Sequence, residues 1–290
     1  TRMGRGLLDF CKTSIRVCGS ESDGVWRMKR YAKLYWLYAK NHFKVMMEYR
    51  MDFLIGVLSV FGQQFAALFF LSIVFQHIES LNGWGFYEIL FIYGIAFLGR
   101  AVHHIFFDNL WTIGWQYIRT GNLDRILMRP VNPLFQIVAE RVQQDGFGQL
   151  LIGGSVLWLA SNELGMTWSM MDILVLLIMV LASGMIYIAV NLFFATFSFW
   201  MIDSLPVVFA VFSLSDFARY PMTIYSKVIM FVLTYIIPFG FTAFYPAMYF
   251  FEGRGFTMFA LATPFVAMLS LVIAYRFWLY GLRAFASTGS

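Results

Sequence analysis

The sequence predicts an all-α fold whose solvent is a lipid bilayer, a polytopic protein with about six helical spans. Three observations carry that expectation. Of 290 residues, 60% are hydrophobic and only 13% charged, against roughly 25% charged in an ordinary soluble domain. Uncharged apolar runs recur at lengths that cross about 30 Å of hydrocarbon at about 1.5 Å per residue. The segments between those runs alternate between having and lacking Lys and Arg, which is the signature of cytoplasmic and exported loops.

The chain opens on a basic leader, residues 1–27, without an apolar core long enough for a signal peptide. Its Cys11 and Cys18 lack the partners of a zinc site and read as reduced bystanders. Met28 starts the folded part, a single transmembrane domain over 28–285, and 286–290 form a tail. The net charge of +5 would suit nucleic acid, yet 11 of the 21 basic residues fall in the first 50 positions. That clustering points to the anionic surface of a membrane instead. After Met28, Lys29, Lys33, Lys40 and Lys44 share one stripe of a helix, opposite Tyr31, Leu34, Tyr35, Tyr38, Val45 and Tyr49. The pattern fits a helix lying at headgroup depth with its lysines on phosphates. A solvated helix docked on the protein's own core would show the same stripe.

The apolar runs place spans near 53–75, 89–107, 134–160, 173–200, 228–250 and 256–279. The third is short by itself, and Leu134 to Ala139 are expected to prolong its helix past Glu140, Arg141 and Asp145. Segments 76–88 and 161–172 contain no Lys or Arg, whereas 108–133 holds Arg119, Arg125 and Arg129. Arg219 and Lys227 put the next loop inside, and Arg283 does the same for the tail. Arg254, beside Glu252, is the exception. Both termini are therefore expected in the cytoplasm, in a multi-pass protein of the cell membrane. Leu205 to Leu214 is about half a span, contains Pro206 and is bounded by Asp203 and Asp216. It reads as a helix on the cytoplasmic side of the membrane.

Between the second and third spans lies TGNLDRILMRPVNPLFQ, Thr120 to Gln136. Gly121 and Asn122 supply a turn and an N-cap. Leu123, Ile126 and Leu127 share a face, Asp124 and Arg125 another, and Pro130 stops the helix after Arg129 before Pro133 starts the next element. A short amphipathic helix between breaks suits docking into a groove on a soluble partner. A plain solvated connector has the same pattern.

These stretches resemble the type-2 permeases of ATP-binding-cassette exporters, in the branch related to daunorubicin-type multidrug permeases. The resemblance rests on MKRYAKLYWLYAKNHFKVMMEYR from Met28, on GNLDRILMRPVNPLFQ, and on ARYPMTIYS at Ala218 followed by IIPFGFTAFYPAMY at Ile236. It implies a six-span half-transporter with an N-terminal interfacial helix. It implies a coupling helix, Asn122 to Arg129, seated on an ATPase, and short exported re-entrant helices near Phe244 to Gly253. Two permeases, identical or paralogous, would pair with two ATPase subunits, which bind the ATP and Mg. This chain itself has no Gly-x-x-x-x-Gly-Lys-Ser/Thr loop, so it is expected to bind no cofactor and no metal and to be no enzyme.

The remaining chemistry is the cluster Arg100, His103, His104 and Asp108 in the second span, where ionisable groups are costly unless paired or facing water. It is open to three readings: a paired network near the inner interface, a feature of a translocation path, or the acid-base site of a membrane-embedded lipid-modifying enzyme using His103 or His104.

Overall fold

The computed structural model describes residues 21–201, 204–251 and 255–285, with side chains from Lys29 onward. Cys11, Cys18, Asp203, Glu252 and Arg254 lie outside the described residues. Everything described is helix, turn or loop apart from a lone bridge between Leu81 and Trp84. Among the described residues four helices are long and apolar enough to cross a membrane: Arg50–His77, Phe86–Ile118, Met170–Phe199 and Thr257–Ala284. The chain is thus an all-α polytopic membrane protein.

Helix α1 (Glu21–Glu48) and α2 (Arg50–His77) are separated by a bend at Tyr49. Lys29, Lys33, Lys40 and Lys44 are exposed, while Tyr31, Leu34, Tyr35 and Tyr38 are half-buried. Tyr31 meets Phe135 edge-on at 4.7 Å, so the tyrosine stripe docks partly on the chain itself. Val45 and Tyr49 stay exposed.

The centre is α3 (Phe86–Phe107), prolonged by a 3-10 turn (Asp108–Thr112) and a π turn (Ile113–Ile118). It is packed between α6 (Asp145–Glu163) and α7 (Met170–Ala195). Close approach depends on missing side chains. A Cβ on Gly153 would lie 2.9 Å from that of Phe97, and one on Gly99 would overlap Ser183. The run expected as one helix over 134–160 is two. Helix α5 (Pro133–Ala139) ends at Glu140, and α6 starts at Asp145. The intervening polar residues bond elsewhere: Gln143 N–H donates to the Ile105 carbonyl at 3.3 Å and Glu140 accepts from Tyr117 at 2.5 Å. Helix α4 (Asn122–Leu127) joins α3 to α5.

Two larger corrections concern the segment after α7. Helix α8 (Leu205–Leu214), continued by 3-10 turns at Ser215–Arg219 and Met222–Ile224, is not confined to the side of the 120–144 loops. It runs antiparallel to α3. At its start Ser204 bonds Ser198 and sits against Gly114. Phe212 then packs on Trp111 and His103, at 4.6 and 5.3 Å. Arg219 reaches Tyr93, and at the far end the Thr223 hydroxyl and carbonyl accept from Trp84 and Asn82, both at 2.8 Å. The stretch from Leu205 to Ile224 therefore passes from one side of the helical layer to the other, over about 30 Å at helical rise. Arg219 and Lys227 consequently lie toward the 78–85 loop rather than beside Arg125 and Arg129.

The run over 228–250 does not continue across. Helix α9 (Lys227–Phe231) and its π turn (Val232–Ile236) lead inward and break at Ile237 and Pro238. A 3-10 turn (Phe239–Thr242) forms the tip, and α10 (Phe244–Ala247) leads back. The tip is deep: the Thr242 carbonyl accepts from Ser183 at 2.5 Å, 13 residues into α7 and so about 20 Å from its start. The returning limb ends at the side where the first began, with Phe251 against Trp84 at 6.0 Å, and Phe244 at its start reaches the same ring at 5.8 Å. A bond of 2.8 Å between Thr234 and Tyr245 joins the limbs. The backbone break precedes the expected Phe244 start of the re-entrant element, and Pro246 lies inside α10. Helix α11 (Thr257–Ala284) packs against α7 with Trp278 buried.

Candidate functional site

Two places bring polar residues together, one at the 120–144 side and one halfway along α3. In the first, α4 is clamped to the chain. Gly121 takes φ 73°, a left-handed conformation that glycine adopts without strain, and turns the chain into the helix. The expected cap Asn122 instead donates to the Gln116 carbonyl and the Thr120 hydroxyl, at 3.1 and 2.8 Å. Leu123 and Ile126 are buried, and Leu127 packs partly with them, against Tyr117, Ile137 and Val138. The apolar face thus belongs to the chain's own core. What α4 presents outward is Arg125, Met128 and Arg129, with Met128 80% exposed. Pro130 lies in the exposed turn, and Asn132 caps α5 by accepting from Phe135 N–H at 3.2 Å, with Pro133 at the first helical position.

Residues that the sequence did not single out make the clamp. Buried Gln136 donates through Nε2 to the carbonyls of Ile126 (3.3 Å) and Val131 (3.0 Å), which follow or close the helix. Asn109 donates to the Tyr117 hydroxyl at 2.9 Å and the Ile137 carbonyl at 2.5 Å, and Tyr117 donates to Glu140. The only sequence signal for these was polarity inside apolar runs, without an indication of partners.

The second place divides the expected cluster of Arg100, His103, His104 and Asp108. His104 and Asp108 approach to 3.7 Å, one turn apart. His103 turns away, wholly buried, and its Nε2 meets the Asn191 amide at 2.9 Å. Arg100 bonds Ser215 and, at 3.1 Å, Asp216, which also pairs with Arg219 at 2.7 Å. Asp216, expected as a boundary charge of an inner loop, is instead the hub of an ion cluster midway along the 205–224 stretch. Arg219 lies over the rings of Tyr93 and Phe97 at 5.5 and 5.4 Å, and Arg100 over that of Tyr187 at 5.6 Å. Such placement favours a fixed guanidinium. Among the described residues no three His, Cys, Asp or Glu side chains converge as a metal site would require.

Apolar helices zipped by glycine, a loop that turns back halfway and a helix clamped at one end of the layer make up a protein built to span the bilayer. The family model described as ABC-2 family transporter protein matches residues 61–289, and the chain belongs to that family. It is a permease of the ATP-binding-cassette transporters, a class whose permeases dimerise and associate with ATPase subunits. No curated protein and no solved structure matches it.

Proposed function

We propose that this permease works as an exporter, coupled to a separate ATPase through α4. The observation that supports the coupling is the exposed tip formed by Arg125, Met128 and Arg129 on a helix held from behind by Leu123, Ile126 and Gln136. A rigid basic tip with one apolar knob transmits displacement, because the load passes directly into the base of α3 and α5. Asn122, Asp124 and Leu127 complete the helix. On this reading the 120–144 side is cytoplasmic, where Lys29, Lys33, Lys40 and Lys44 meet lipid phosphates. ATP and Mg bind the partner, and two ATPase subunits serve two permeases, a second copy of this chain or a paralogue. The protein resides in the cell membrane with both ends inside. The six crossings are α2, α3 with its turns, α6, α7, the 205–224 segment and α11. Residues 227–251 form a re-entrant loop from the exported side. The alternative enzyme reading, through His103 or His104, finds less support, since His103 is sealed from any substrate, His104 faces Asp108 at 3.7 Å, and among the described residues no metal-binding set accompanies them.

The test is Met128→Asp. It leaves every membrane span untouched, so insertion should be normal, while ATPase subunits should be lost on purification because a carboxylate enters an apolar contact. Arg125→Ala should be milder, since exposed ion pairs contribute only about 0–1 kcal/mol. Normal ATPase retention and normal coupling in Met128→Asp would make α4 a passive connector.

A further inference from the structure

We propose that Arg100 and Arg219 form an anion site in the translocation path, so that the cargo is an amphipathic molecule carrying a carboxylate or phosphate group. The proposal rests on the transport reading above and goes on to the chemistry of the cargo.

The cluster sits at mid-depth. Arg100 lies 14 residues into α3, about 21 Å from Phe86 at helical rise, and Asp216 lies well inside the 205–224 crossing, with turns on both sides. Two guanidinium groups share one carboxylate oxygen, Asp216 Oδ1. The other groups in contact with the arginines, Ser215 and the rings of Tyr93, Phe97 and Tyr187, bring no counter-charge. Among the described residues the cluster is therefore one negative charge short of neutral, in a layer where an unbalanced charge is expensive. Its exposure is equally telling. The Asp216 side chain is 56% exposed, whereas those of Arg100 and Arg219 are 13% and 15% exposed. A half-exposed carboxylate at this depth is incompatible with lipid tails, so this face turns away from lipid, toward water, cargo or a second permease.

The arrangement works as an exchange site. Asp216 is the outermost member and acts as a tethered anion between two forks that aromatic rings hold in place. A carboxylate or phosphate can take its place, because a guanidinium presents paired donors that match either group. The incoming anion brings the missing charge, and Asp216 swings toward the opening. The neighbouring Phe209 and Phe217, 57% and 40% exposed on the same segment, offer apolar surface to the rest of the molecule.

The experiment measures binding to the purified chain in nanodiscs of zwitterionic lipid. The probes are a fluorescent dodecanoate, the chain-matched dodecylamine and inorganic phosphate. The dodecanoate should bind saturably and the amine should not compete. Arg219→Gln should weaken binding about tenfold or more, the scale of a lost hydrogen bond to a charged group, and Arg219→Lys should fall between. Asp216→Asn should bind more tightly, since the tethered competitor is gone, and misfolding cannot produce that gain. Competition by phosphatidic acid in the nanodisc would assign the anion to a lipid headgroup, and competition by inorganic phosphate to a soluble ion; either supports the site. Preferential binding of the amine, or Arg219→Gln and Asp216→Asn both binding as the parent chain does, would overturn it. Retention of the ATPase, followed separately, tests the coupling and not this site.

Discussion

The two ends of α3 are held by different chemistry. Toward the 78–85 loop, Trp84 is wedged against Phe244 and Phe251, Phe91 against Trp168 and Phe250, and the re-entrant limbs close over them. Toward α4, the regular helix gives way to 3-10 and π turns, and a polar bracket of Asn109, Tyr117, Gln136 and Glu140 ties the base together. Ring packing is a sum of many weak contacts and resists displacement in every direction. Hydrogen bonds are few and directional, and hold a helix in one orientation while the turns beneath can change pitch. The contrast suits a chain closed at one end and driven at the other.

The comparison can be broken first at its geometric basis, with the largest effect. A lone cysteine introduced as Lys227→Cys should share its reactivity toward an impermeant thiol reagent with Ser80→Cys, and not with Thr120→Cys, once Cys11 and Cys18 are replaced. Labelling that follows Thr120→Cys would return the 205–224 segment to the α4 side. The energetic contrast comes next. Trp84→Ala should lower stability by about 3–5 kcal/mol, the range for removing a large buried ring. Gln136→Leu should cost about 1–3 kcal/mol for the Val131 carbonyl left unpaired, yet reduce ATPase retention more than Trp84→Ala does. Thermal unfolding together with co-purification separates these outcomes, and equal stability losses would end the distinction.

The smallest effect is a pH response in α1. Burial, reinforced by the charge of Arg141, holds His42 below the ordinary histidine range, while a bond to the Val142 backbone pulls the other way. The docked helix therefore favours neutral imidazole. That contribution is present above the unfolded value of about 6.5 and is lost as pH falls through the lower folded value. Spin labels on α1 and α6 should report a widening separation between pH 7 and pH 5, reduced by His42→Asn. An unchanged separation would show that α1 is held by Tyr31 and its neighbours alone.

Much of this architecture was legible in the chain. The bilayer environment follows from composition, and the runs behind α2, α3, α7 and α11 from length alone, because apolarity and helical rise are local quantities. The short helix after the second span was marked by Gly121, Pro130 and Pro133. Its outward face was not, because Leu123, Ile126 and Leu127 indicate that one side is buried without saying against what. Likewise Arg100, His103, His104 and Asp108 were visible as costly residues in one run, while their separate partners, Ser215, Asp216 and Asn191, lie more than eighty residues away for the two that leave the helix.

The sequence by itself determined that this protein lives in a membrane, that its spans are helical and that a breakable segment follows the second of them. Tertiary structure alone decided which apolar runs pass through the helical layer and which turn back. A run that reverses at Ile237 and Pro238 is as hydrophobic as one that continues, and the 205–224 segment, interrupted by Pro206, Asp216, Arg219 and Pro221, reads as too short to cross. What fixes each path is pairing between distant residues: Trp84 with Thr223, Ser183 with Thr242, Arg100 with Asp216. Those bonds satisfy polar groups that lipid cannot, and where they are available depends on how the whole chain packs.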